Sequence, residues 1–570
     1  MMSLLLVVQS VSIWMLSWAA WVSLRRYFIK SPLDNVPGPA STSFAFGHLK
    51  EIDDPRDGWA FQEQLATQWN GVVKFKGMFN KNMLFVFDPQ AIHNILLKDQ
   101  YVYENASFRR GYGKFLLGDG LLAVVGSKHR AQRKMMNPVF SIAHMRGLFP
   151  TFTSISYKLR DALRNQVKDG RKEIDILGWI GRTALELIGQ GGLGYSFDLL
   201  VEDVPNELGE AIKKLMPSIG GMLRFSEGLS LLDRLGQTSA GVKQILRWIP
   251  FQKVQNTLKL VNTLHDECER IYYEKKTALL TGKNDIQPVG DGHDIMTVLL
   301  KANLDADEQD RLPDNQVIGQ MSTLVFAAVD TTSSALTRTF ELLAKNQDVQ
   351  DNLRAEIVKA REGWNDLTYD QVVELPLLDA VCRETLRMYS PAGMIFKAAA
   401  EDTVMPLSKP MVYIGVHASN RNPELWGEDA NEWKPERWLS PLPKALVDAR
   451  LAGVYAHLMT FSGGGRSCIG FKFSQLEMKI VLATLVESFR FTLSENHHKV
   501  FWNATRVSSP SIGPGVNVIL TIEAMYSSFP WNIESTYFRE YSFTAVRSNT
   551  YYFKTQNFLD GKKMNITNSE

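Results

Sequence analysis

The chain has 570 residues, 45% of them hydrophobic and 22% charged. These proportions suit a globular protein and exclude collagen, a coiled-coil rod and wholesale disorder. Lys plus Arg number 63 against 61 Asp plus Glu, so the net charge of +2 speaks against a polycationic nucleic-acid binder. Three cysteines, Cys268, Cys382 and Cys468, cannot build a disulfide framework and point to a reducing compartment or to individual roles.

From Ser3 to Ser23 no residue is charged, and about 20 apolar residues suffice to cross a bilayer as a helix. Arg25, Arg26 and Lys30 follow the run, with Trp18, Trp21 and Tyr27 where an aromatic belt would lie. A cleaved signal peptide would carry its charge before a shorter apolar core. The pattern therefore predicts an uncleaved anchor over residues 3–24, with everything after Arg25 in the cytosol. Residues 25–40 form a basic, Pro-rich linker in which Pro37-Gly38-Pro39 is a stiff, non-helical spacer.

Residues 41–524 read as one globular body without internal repeats. Val72–Lys76, a polar turn at Asn80-Lys81-Asn82 and Met83–Phe87 predict a hairpin, and Asp88-Pro89 predicts a capped helix start. From about 128 to 390 the periodicity is mostly helical, with an exposed interruption between Thr281 and Gly292. Past 390 come short strands and turns, then a long helix after Cys468 and a closing strand over 516–525. The expected fold is mainly α with a smaller β part. The extension 525–570 is set apart by 11 aromatics in the 45 residues from Tyr526. It shows no clean period, and nothing in its pattern accounts for it.

The chemistry concentrates in Phe461-Ser462-Gly463-Gly464-Gly465-Arg466-Ser467-Cys468-Ile469-Gly470. A lone cysteine is usually a small buried hydrophobe. Here consecutive glycines let backbone approach a flat object closely, and a helix N-terminus just after Cys468 favours a thiolate. The segment matches F-x-x-G-x-R-x-C-x-G, the cysteine-ligand loop of the cytochrome P-450 superfamily of haem-thiolate monooxygenases. Five fixed positions arise by chance on the order of 10⁻⁷ per window. Glu384-Thr385-Leu386-Arg387 resembles the family's E-x-x-R and Pro435-Glu436-Arg437-Trp438 its P-E-R-F segment, which makes Glu384, Arg387 and Arg437 structural. Pro313-Asp314 opens a helix that reaches Ala327-Ala328-Val329-Asp330-Thr331-Thr332, similar to the family's A-G-x-[DE]-T-[TS], although Ala328 stands where glycine is usual. The text around Asn422–Gly427 is most similar to fungal members.

The resemblance spans about residues 37–524 and implies haem b with Cys468 as the axial ligand of its iron, beneath Phe461. Asp330 and Thr331 are implied as the catalytic proton-handling pair. Arg466, Arg133, His129 and Lys397 are implied as partners of the haem propionates. His129 replaces the usual Trp and would carry a pH-dependent charge, and Lys397 replaces a frequent Arg. Lys128, Arg130, Arg133 and Lys134, extended by Lys472, form the basic face where an acidic NADPH-dependent reductase would dock. The implied activity is insertion of one oxygen atom from O₂ into a substrate, at the endoplasmic reticulum membrane as a single-pass protein. Recognition loops near 101–125, 215–235 and 393–397 carry Leu116, Leu117, Leu121, Leu122, Met216, Met222, Leu223, Met394, Ile395 and Phe396. They imply a lipophilic substrate, a terpenoid or other secondary metabolite. Two rivals remain at this stage, an isomerase or reductase on the same fold and a non-enzymatic haem-binding protein. The sequons at Asn105, Asn503 and Asn565 would stay unmodified in a cytosolic domain.

Overall fold

Val72–Lys76 and Asn82–Val86 form the predicted hairpin, with Val72 opposite Val86 and Lys76 opposite Asn82. Phe79 and Asn80 turn it in the left-handed region, at φ 51° and 60°. Asp88 caps the next helix by accepting the Ala91 N–H at 2.6 Å, with Pro89 in the first turn. The hairpin continues into a five-stranded sheet, in which Asn82–Val86 pairs parallel with Met411–Gly415. That strand pairs antiparallel with Met394–Ala399, and Tyr103–Glu104 closes the edge. The predicted closing strand is Ile519–Ala524, between Lys172–Asp175 and Phe489–Leu493.

The computed structural model describes positions 10, 13, 14, 17, 18 and 21 and then residues 32–525, apart from 106, 199, 201–206, 223–238, 282–291, 363–365, 400–410, 496, 505–506 and 512–518. The chain divides into two compact units, Met1–Met525 and Tyr526–Glu570. The second unit lies outside the described residues, as do most of the apolar N-terminal run and nearly all of the interruption before Gly292. Among the described residues no helix is long and apolar enough to cross a membrane.

Helices dominate the first unit. The long helix Asp314–Lys345 buries Val317, Met321, Val325, Val329, Leu336, Phe340 and Leu343 and packs on Ile176–Leu187. The last helix, Phe471–Ser488, packs on Ile142–Gln166, where Phe473 meets Phe152 edge-on at 4.8 Å. The fold is thus mainly α with a smaller β part.

Two local features set the geometry around the site. A Cβ on Gly120 would stand 2.2 Å from the Gly319 carbonyl oxygen, so this loop can lie flat on the long helix only without a side chain. Leu121 N–H then donates to Gln320 Oε1 at 3.0 Å. At the N-terminal edge, Lys74 N–H donates to the Pro37 carbonyl at 2.8 Å. The Pro37–Pro39 segment is therefore hydrogen-bonded to the hairpin.

Candidate active site

Cys468 follows strand Leu458–Gly463 and the single turn Gly464–Arg466, and precedes the helix that begins at Phe471. The loop is closed by the Cys468 N–H donating to the Phe461 carbonyl at 2.9 Å. Gly464 has φ +66°, and a Cβ there would lie 2.0 Å from the Leu96 carbonyl oxygen; no other residue fits. Phe461 is half-buried between Tyr455 and Phe471, at centroid distances of 5.6 and 6.1 Å.

Cys468 is accessible, yet burial is the largest influence on its thiol and pushes its pKa up. A group both accessible and surrounded by protein lines an enclosed space. The helix N-terminus was expected to favour the thiolate. The Gly470 N–H and Arg133 do pull in that direction, but desolvation outweighs them. A metal ion on the sulfur would settle the matter, because a coordinated thiol is deprotonated outright.

Cations gather beside the cysteine. Arg133 donates to the Ser467 carbonyl and, at 3.1 Å, to its hydroxyl. Arg466 pairs with Glu104 at 2.8 Å and donates to the Val124 carbonyl at 2.8 Å. Lys397 and His129 are buried, 3% and 6% exposed. Burial first, then Arg466, Arg133, Lys397 and Arg130, lower the His129 pKa to about 3. In this structure the imidazole is therefore neutral across the physiological range instead of switching within it, and it keeps one N–H to donate. Three cations and an imidazole N–H around one paired acid fit the two carboxylates of a haem, with Cys468 placed for its iron.

On the long helix, Phe326, Ala327, Ala328, Asp330 and Thr331 are partly accessible, although the helix is buried on both sides of them. This stretch therefore also lines an internal space. The Thr331 hydroxyl donates to the Ala327 carbonyl at 2.7 Å, which leaves its oxygen free to accept. One residue escaped the motif reading. Glu477, on the last helix, is 1% exposed, with its pKa raised well above 4.5 by burial and lowered only by Thr332. Burial thus favours the protonated form of this acid, which lies near Thr332. An acid inside the apolar run Phe473–Leu485 was the available signal.

The recognition residues divide. Met394 and Ile395 are half-buried, whereas Leu116, Leu117 and Leu121 are packed in the core. Phe396 shares the strand face of Met394 and is buried against Tyr413 at 4.6 Å, whereas Ile395 lies on the opposite face; Phe396 and Leu122, which is 46% exposed, depart from the expected lining role. The side chains of Met216, Met222 and Leu223 lie outside the described set. The basic run also splits by helical period: Lys128, Arg130 and Lys134 are exposed, while Arg133 turns inward to Ser467 and leaves the outer face. Lys472 is half-buried over Phe471.

Behind the site, Arg387 grips Glu384 with two 2.8 Å bonds, both side chains fully buried. Arg437 approaches Glu384 at 3.5 Å and pairs with Asp429 at 2.8 Å.

The comparisons agree with this geometry. The family profile described as Cytochrome P450 matches residues 37–512. Cytochrome P450 monooxygenase 91 of Postia placenta is 50% identical over 509 residues, covering 86% of this chain and 93% of that protein. Ganoderic acid synthetase CYP5150L8 of Ganoderma lucidum is 43% identical over 522 residues, covering 86% and 93%. A crystal structure of a cytochrome P450 (CYP102L1) superposes with TM-score 0.66 at 21% identity, covering 86% of this chain and 99% of that one. The protein is a haem-dependent monooxygenase. It belongs to the cytochrome P450 family.

Arg387→Ala would leave Glu384 buried without its fork. Breaking one partner of a buried pair costs roughly 3–5 kcal/mol. The urea midpoint of the haem-loaded protein should fall accordingly, and the yield of protein able to bind carbon monoxide should collapse. Arg387→Lys, which keeps the charge but not the fork, should fall between the two.

Proposed function

We propose that the enzyme inserts one oxygen atom into a lipophilic secondary metabolite, with electrons delivered by a separate NADPH-dependent reductase. The observation that carries the reading is the accessible yet enclosed Cys468 beside a carboxylate-binding cluster of cations. The partly accessible turn Phe326–Thr331 supplies the second wall. When bound, haem supplies the oxygen chemistry, with a thiolate ligand favouring O–O cleavage.

The chain's own residues do the rest. Arg133, Arg466, Lys397 and His129 would orient the group through its carboxylates. Thr331 accepts a proton-bearing partner while its own hydrogen points to Ala327, and it donates only after rotating away from that carbonyl. Asp330 sits on the same turn, and Glu477, whose protonated form burial favours, interacts with the neighbouring Thr332. Phe326, Ala327 and Ala328 give the wall an apolar surface that suits a lipophilic molecule. The ganoderic acid synthetase among the relatives makes terpenoids the first class to screen.

Cys468→Ala decides the central assignment. The dithionite-reduced wild type under carbon monoxide should show a strongly red-shifted Soret band that the variant lacks. A wild-type band typical of histidine ligation would sink the reading.

The exposed cations Lys128, Arg130 and Lys134 suit an acidic reductase. Reversing Lys128 and Arg130 to Glu should lower reductase-supported turnover at low salt several-fold, with haem content and ligand binding unchanged. Equal turnover would remove these residues from the docking face.

Residues 3–24 are proposed to anchor the enzyme in the endoplasmic reticulum membrane, with its catalytic domain in the cytosol. Deleting 2–24 should shift it from the membrane pellet to the supernatant with haem retained; persistence in the pellet would assign attachment to another surface.

A further inference from the structure

A second concave site lies apart from the haem cradle and shares none of its residues. It is a cleft of about 260 Å³ between the helix Gly58–Gln68, the end of the long helix, the segment after Met388 and the strand Phe501–Asn503. That volume is slightly below the usual range for ligand pockets and suits a molecule of one ring.

Its walls are aromatic and cationic. Trp59 lies over the His417 ring, with centroids 4.3 Å apart. The Arg338 guanidinium is held between Tyr389 and Trp502, at 4.2 and 3.7 Å from their ring centres. Glu341 neutralises Arg338 through a 3.0 Å contact and also accepts the Trp502 indole N–H at 2.7 Å. Arg421 is different. It lies 5.2 Å over the Tyr389 ring, and its Nε and one Nη are spent on the Met388 carbonyl. It forms no ion pair among the described residues. Among the described residues, the one acid lining the cleft, Glu63, is exposed.

Two buried polar atoms in the lining have no partner: the Arg338 Nε–H and the carbonyl oxygen of Gln62, whose side chain belongs to a residue only 4% exposed. Buried polar atoms left unpaired are uncommon and costly. A ligand that matched these groups would present a carboxylate to the guanidiniums, a flat ring to the aromatic walls and a hydroxyl donor to Gln62.

The geometry points to this cleft as a binding site for a small hydroxyaryl carboxylate, separate from the site of oxidation. Arg421 takes the carboxylate on its remaining Nη hydrogens, a charge-assisted contact. Trp59, Tyr389 and Trp502 give the ring an aromatic surround, with the space between Tyr389 and Trp502 taken by Arg338, and the Gln62 carbonyl accepts the phenolic hydrogen.

The experiment is equilibrium dialysis of the haem-loaded full-length protein against 4-hydroxybenzoate, benzoate and the uncharged 4-hydroxybenzamide, with the Soret band recorded in parallel. The expected result is saturable 4-hydroxybenzoate binding at one equivalent, with no Soret shift. Benzoate should bind about tenfold more weakly and the amide not measurably. Arg421→Gln should weaken both acids at least tenfold. Because Arg421 also ties down the Met388 carbonyl, a second variant keeps the test sharp. Gln62→Leu should bring 4-hydroxybenzoate down to the affinity of benzoate and leave benzoate unchanged. Absence of saturable binding, equal affinity for the acid and its amide, or a Soret shift that tracks occupancy would each overturn the assignment.

Discussion

The cysteine loop is held in place by a carboxylate that has lost its water. Glu384 receives both arms of Arg387, the Trp438 indole at 2.9 Å and the Lys434 N–H at 3.0 Å. Arg387 spends its other hydrogens on the carbonyls of Asn420, Ala430 and Glu432. Removing each ion from water costs several kcal/mol, so such a cluster is tolerable only when every lone pair and hydrogen is matched. The matching is what carries structural information forward. Asn420, fixed by its carbonyl, accepts the Met459 N–H at 2.8 Å and donates to Thr460 at 2.9 Å. Thr460 in turn donates to the Leu386 carbonyl at 2.8 Å. Met459 and Thr460 belong to the strand that delivers Cys468. An unbroken path of hydrogen bonds thus runs from a buried ion pair to the backbone beneath the sulfur.

The basic helix shows how one turn can serve two surfaces. Lys128, Arg130 and Lys134 face water, while His129 and Arg133, on the opposite side, meet Arg466 and Lys397. Packing that many cations together is unfavourable unless something negative is present, and Glu104 pairs with Arg466. The imidazole responds by staying neutral. In the arrangement seen here, His129 therefore supplies a neutral N–H donor.

The resemblance rested on short motifs, and these were legible because their chemistry leaves little freedom. Gly464 must adopt a positive φ under the Leu96 carbonyl, Asp88 caps where an Asp-Pro pair says it should, and Glu384 with Arg387 sits one helical turn apart on a helix closed before Pro391. What periodicity cannot supply is which face of an element looks inward. Met394, Ile395 and Phe396 are consecutive, but strand alternation puts Phe396 with Met394 on the face that packs against Tyr413 and sends Ile395 to the other. Arg133 was counted with the docking cations, yet it lies one turn from His129 and follows it inward. The Pro37–Pro39 segment has a spacer's composition and is nonetheless bound to the hairpin through Lys74, a contact with no local sequence signal. The second cleft has none either, because Gln62, Arg338, Tyr389, Arg421 and Trp502 come together only through the tertiary fold.

Burial raises the pKa of both Cys468 and Glu477, with opposite consequences for chemistry. The thiol becomes a poor anion alone, so its ionisation is coupled to a cation placed directly on it. Arg133, already spent on Ser467, only lessens the penalty. The carboxyl has no such cation. Only the Thr332 hydroxyl opposes the shift, so burial favours its protonated form. Desolvation thus acts on both groups in the same direction, raising the proton affinity of thiol and carboxyl alike; a metal ion on the sulfur would reverse that at Cys468, whereas no cation is among the influences on Glu477.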